Sequence, residues 1–155
     1  MPLGDLAKKH FTDAEKQQLD AAIDTILNIV EPKSYNLSPK QRMKYGKVGE
    51  HKKLLLDAVK GFHESQPNLS APDVNWDEFN ADYATHKYAE GVSLQLSAMA
   101  QMLTNIRMLH SHDNMTAALI DYQYATYKTK SAQAAFMTKA EILKQFFPKT
   151  GKRKN

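Results

Sequence analysis

The chain of 155 residues contains no cysteine. That excludes a disulfide framework, a thiolate metal site and a cysteine nucleophile. Glycine and proline are scarce, at six each, and most fall between segments of regular periodicity. No β-rich run is bounded by turn dipeptides, so hairpin architectures are excluded on pattern. No apolar stretch approaches the roughly 20 residues of a membrane span, and residues 1–10 contain no apolar run of signal-peptide length. The expectation is a soluble, cytoplasmic protein. Acidic and basic residues nearly balance, leaving a net charge of +4. The excess sits in Lys33–Lys60 and in Lys149–Lys154, and it is too small to mark a dedicated nucleic-acid binder. No serine or threonine stands in a nucleophile elbow, and neither a zinc-protease motif nor a dinucleotide fingerprint is present. Nothing in the residues supports an enzyme. No internal repeat or low-complexity segment appears.

What remains is helical periodicity. Thr12-Asp13-Ala14-Glu15 has the form of a capping box, and Leu19, Ile23, Ile26, Leu27 and Val30 follow as one apolar stripe up to Pro32. Ser38-Pro39-Lys40-Gln41 combines a serine cap with proline at the first helical position. Apolar residues continue from it to Phe62. Gly46 and Gly49 fall inside this second segment, where the expected use is close approach of another backbone. Asn75-Trp76-Asp77-Glu78 opens the longest pattern, with Phe79, Tyr83, Val92, Leu96, Met99, Leu103 and Ile106 at spacings near 3.6. At 1.5 Å per residue it would run roughly 50 Å. His110-Ser111-His112-Asp113-Asn114 reads as a polar link capped by Ser111 or Asp113. A last stripe from Met115 to Phe147 closes at Pro148. The spacing predicts helices over about 13–31, 39–63, 76–109 and 114–147 in one domain, 1–148, with 149–155 a disordered basic tail. The expected fold is all-α, an antiparallel up-and-down four-helix bundle with two long C-terminal helices. The alternative is a break near Gly91 that gives five shorter helices.

Three clusters are candidates for chemistry. His86, Glu90 and Ser93 recur at i, i+4 and i+7 and share a helix face, as inward metal or acid–base ligands of a bundle would. They lack the Glu-x-x-His spacing of di-iron bundles, and a hydrogen-bonded polar pair is the plainer reading. In a bundle turning near residue 112, this level would face residues 134–138. His110, His112 and Asp113 carry metal-ligating groups in the polar link, although histidines in such links commonly face solvent. Arg42, Lys44, Lys47, Lys52 and Lys53 form a dense basic run suited to an anion, with Arg42 able to bind in a bidentate manner. Most such runs are solvated faces, and Gly46-x-x-Gly49 is no phosphate loop. Tyr83, Tyr88, Tyr122, Tyr124 and Tyr127, with Met99, Met102 and Met108, suit either a core or a partner surface. Core filling is the expected use.

Leu37-Ser38-Pro39-Lys40-Gln41-Arg42, Gly46-Lys47-Val48-Gly49-Glu50, Gln66-Pro67-Asn68-Leu69 and the helix start at Asp77–Phe79 resemble a group of small bacterial helical-bundle proteins of unknown function. The resemblance covers residues 37–80 best. It implies a four-helix bundle and carries no activity, cofactor or catalytic residue with it.

The leading functional expectation is a non-enzymatic bundle that acts through a protein partner or self-association. The second is a bundle holding a metal or small ligand near His86 and Glu90, which leaves a metal as the one cofactor to test for. The third is weak anion or nucleic-acid binding through the Arg42–Lys53 face.

Overall fold

The computed structural model describes residues 4–47, 49–131 and 134–147. It is all-helical over these residues. The helices are α1 (Asp13–Val30), α2 (Pro39–Tyr45), α3 (Glu50–Ser65), α4 (Trp76–Lys128) and α5 (Ala134–Lys144), with single 3-10 turns at Glu31–Lys33, Pro67–Leu69 and Thr129–Ser131. The chain divides into two compact units, Phe11–Leu96 and Met1–His10 with Ser97–Asn155. The expected basic tail at 149–155 lies outside the described residues.

Local start signals work as the sequence indicates. The Glu15 N–H donates to Thr12 Oγ1 at 3.2 Å and the Thr12 N–H to Glu15 Oε2 at 2.8 Å. Ser38 and Gln41 form the same reciprocal box at the head of α2. The Glu78 N–H donates to Asn75 Oδ1 at 3.2 Å and so caps α4. Each bond satisfies a first-turn donor that has no partner within the helix.

The helix count departs from expectation at two places. The expected helix over 39–63 is two helices. Gly46 closes α2, its N–H donating to the Arg42 carbonyl at 2.8 Å. Gly49 opens α3 with an extended ψ of 174°. A Cβ on Gly46 would stand 2.7 Å from the Arg42 carbonyl oxygen, whereas one on Gly49 would meet nothing within 4 Å. The two glycines therefore mark a turn, and the close-approach reading does not hold. Conversely, the expected helices 76–109 and 114–147 do not meet at a polar link. α4 runs through His110–Asn114 without interruption and is 53 residues long. Polar residues alone do not stop a helix. Proline, or glycine at a cap, is the strongest stop signal, and the one such residue in α4 is Gly91, through which the helix also continues. Asp113 does not cap a helix; it accepts from another segment, as described below. The described residues thus form five α-helices where the spacing predicts four.

In the unit Phe11–Leu96, α3 and the first part of α4 form an antiparallel hairpin across the turn at 66–75. Lys53 meets Glu90, Asp57 meets Tyr83 and Lys87, and His63 meets Trp76. The His63 imidazole lies flat on the Trp76 indole at 4.0 Å and 8°, and Phe79 meets the indole edge at 5.2 Å. The Trp76 Nε1–H donates to the Ala71 carbonyl at 3.0 Å. His63 Nδ1 and Ser70 Oγ are hydrogen-bonded at 2.8 Å, which ties α3 to the turn.

In the other unit, the end of α4 and α5 form a second antiparallel hairpin. Lys139 pairs with Asp121 at 2.7 Å, Phe136 meets the Tyr124 edge at 5.8 Å, and Phe147 stacks on Tyr122 at 4.7 Å. Ala125 at this seam is fully buried, where a larger side chain would force the helices apart. Residues 6–10, which lead in to α1, dock on α4. The Leu6 and Ala7 N–H groups both donate to Asp113 Oδ2, at 3.0 and 2.9 Å. The His110 Nε2–H donates to the Lys9 carbonyl at 3.0 Å, and the His10 and His110 rings lie 4.8 Å apart. Ala7, within this strap, is buried.

Candidate functional site

The polar cluster singled out around His86 sits on the α3–α4 hairpin. Residues one helical turn apart on α4 share a face, so Tyr83, His86, Lys87 and Glu90 present together. Their partners come from α3 and not from residues 134–138, which lie beside Asp121–Ala125 instead. Tyr83 Oη–H donates to Asp57 Oδ1 at 2.6 Å, and Lys87 reaches the same oxygen at 3.2 Å. The two donors hold the Asp57 carboxyl below its ordinary range, the phenol contributing most. The reciprocal effect raises the Tyr83 phenol and the Lys87 ammonium above theirs. Two lysines flank the same ring, Lys60 at 5.3 Å and Lys87 at 5.6 Å from its centroid. One turn on, Lys53 pairs with Glu90 at 2.6 Å and lowers that carboxyl too. Leu56, Phe79, Asp82, Tyr83 and His86 line an open hollow of about 250 Å³ beside this row.

Glu90 therefore spends its carboxylate on Lys53, and His86 is exposed on the wall of the hollow. Ser93 is exposed further along α4. Among the described residues no three histidine, cysteine, aspartate or glutamate side chains come together in a metal-holding group. The row is a charge ladder that zips two helices, with the Glu90 carboxylate hydrogen-bonded to Lys53. Sequence spacing points to Glu90 of the α4 half, whereas Tyr83 reads as part of the apolar stripe and Lys87 is not singled out. On α3, Lys53 reads as part of a basic run and Asp57 carries no signal, because their roles depend on which helix comes alongside.

The second candidate cluster lies on α4, where His110 and Asp113 both bind the strap at residues 6–10. Asp113 is occupied by the Leu6 and Ala7 N–H groups, with the Ala7 bond the largest cause of its lowered pKa. His110 is engaged by the strap, and His112 shares α4 with both rather than a loop. The basic run is divided between two helices and the turn between them. The Arg42 Nε–H donates to the Leu37 carbonyl at 3.0 Å, Lys44 lies over its neighbour Tyr45 at 5.5 Å, and Lys53 faces Glu90. Lys47 lies in the turn and Lys52 on the exposed side of α3.

The most conspicuous chemistry is apolar. Every residue of α1 is exposed, including the stripe Leu19, Ile23, Ile26, Leu27 and Val30, whose exposures range from 37% to 54%. On α3 the side turned away from α4 is also apolar, and Leu54, Leu55 and Phe62 are 64%, 61% and 59% exposed. Met99, Met102, Met108, Tyr88, Tyr124 and Tyr127 are likewise exposed, so they do not fill a core as expected. Scattered apolar residues on a surface are ordinary, but contiguous stripes at helical spacing mark binding faces.

No protein-family model, curated protein or solved structure matches the chain. No described helix is long and apolar enough to cross a membrane.

Proposed function

We propose that this protein is non-enzymatic and works by protein–protein association, with self-association as its principal form. The observation that carries this reading is the α1 stripe, five aliphatic side chains at one helical face with none of them buried. Fully burying such a side chain is worth ~1.5–3 kcal/mol, so covering the remaining half or so of five contributes roughly 4–7 kcal/mol before the cost of association. An isolated helix of this length is marginal in water and draws its stability from a covered apolar face. The hollow beside His86 supports ligand binding less well, since it is open and the Tyr83 hydroxyl on its wall is already engaged by Asp57. Sedimentation velocity across a wide concentration range tests the proposal. A mass that rises with concentration to a defined oligomer is the expected result. A monomer at every concentration would overturn it.

A further inference from the structure

We infer that α1 of one copy docks on the outward face of α3 in a second copy, and that two copies exchange α1 reciprocally to close a two-fold dimer. This rests on the self-association reading and adds which surfaces meet. Two unpartnered apolar stripes lie in the same unit of one chain. On α1, with 100° per residue, Ile26, Leu19, Val30, Ile23 and Leu27 fall within one arc. On α3, Leu54, Leu55, Ala58, Val59 and Phe62 fall within an arc opposite to that of Lys53, Asp57, Lys60 and His63, which face α4. Each stripe is continuous over several turns, as helix-on-helix packing requires.

Charge selects this pairing over the alternatives. α1 contains four carboxylates and one lysine, and Asp13, Asp20 and Asp24 line up along one edge of its stripe. None of the last-turn residues of α1 is basic. Two α1 helices packed on each other would bring like charges together. The segment Pro39–Ser65 is the reverse, with seven lysines and arginines against three acids. Lys52 borders the α3 stripe, and Lys40, Lys44 and Lys47 precede it. Lys40, Lys44, Lys47 and Lys52, together with the turn before α3, supply the counterpart of the acidic edge of α1, while Lys53 stays with Glu90 on the opposite face. Reciprocal exchange covers both stripes of both copies and leaves no open end for further growth. A one-way contact would leave one stripe of each kind bare and would build a chain.

The test is a mixing experiment read by sedimentation equilibrium. Ile23→Lys places a charge in the α1 stripe, and Phe62→Lys places one in the α3 stripe. Both sites are exposed in the single chain, so helicity by far-UV circular dichroism should hold. Each variant alone should raise the dimer dissociation constant by roughly 10-fold or more. Mixing the two should restore part of the association, because a mixed pair retains one intact docking of α1 on α3. Asp20→Lys with Asp24→Lys should weaken the dimer, and added salt should weaken the wild type. A wild type that stays monomeric would overturn both this inference and the self-association reading. A wild-type dimer left intact by Phe62→Lys, or two variants that fail to rescue each other, would overturn the α1–α3 exchange alone and leave self-association standing.

Discussion

The His63–Trp76 stack offers the sharpest check on the α3–α4 hairpin, because Trp76 is the one tryptophan in the chain and its emission reports on this place alone. Replacing His63 with alanine removes a parallel stack at 4.0 Å and the hydrogen bond to Ser70 at 2.8 Å. An aromatic pair is worth ~0.5–1.5 kcal/mol beyond its buried area, and a hydrogen bond ~0.5–1.5 kcal/mol net. His63→Ala should therefore cost about 1–3 kcal/mol. With a urea slope of about 1.5 kcal/mol per M, the midpoint followed by Trp76 fluorescence should fall by between ~0.7 and 2 M, and the native emission should shift to the red. His63→Phe keeps a ring on the indole and loses the Ser70 bond, so it should recover about half of the loss. His51→Ala, at an exposed position of the same helix, should change stability by less than ~0.5 kcal/mol. If His63→Ala moves the midpoint no more than His51→Ala does, the hairpin is not closed by this stack and the register read from it fails.

Two further outcomes follow from local geometry. Gly91 lies mid-helix and exposed, with nothing within 4 Å of an added Cβ. Gly91→Ala should stabilise by ~0.5–1 kcal/mol in thermal melts, whereas a loss of stability would mean that the helix needs to bend there. Docking of the strap should depend on pH through Asp113. Its pKa is lowered chiefly by the Ala7 N–H, with the Asp5 side chain and the Leu6 N–H adding to it, so its contribution is complete above the ordinary carboxylate range and is lost as pH falls through the lowered value. Leu6 and Ala7 amides should show hydrogen-exchange protection at neutral pH that disappears in acid, and Asp113→Asn should weaken it at neutral pH. Unchanged protection in that variant would remove Asp113 as the anchor.

The starts of helices were legible in the sequence because a cap involves residues three apart. Thr12 with Glu15, Ser38 with Gln41, and Asn75 with Glu78 act within one turn and need no partner from elsewhere. The helical class was legible for the same reason, since periodicity, scarce glycine and scarce proline are local facts. Helix ends were less legible. Gly46 and Gly49 are compatible with a helix interior or a turn, and only the backbone shows the Arg42 carbonyl taken by the Gly46 N–H. His110–Asn114 is polar enough for a link, yet a polar stretch continues as helix wherever its side chains find partners, and Asp113 finds two in the strap. Tertiary structure alone decided which residues face one another. His86 and Glu90 do share a face, as their spacing requires, but that Lys53 and Asp57 complete their row depends on α3 lying antiparallel to α4. That the α1 stripe is uncovered was beyond any local signal, because an amphipathic helix has the same sequence whether its partner is its own chain or another.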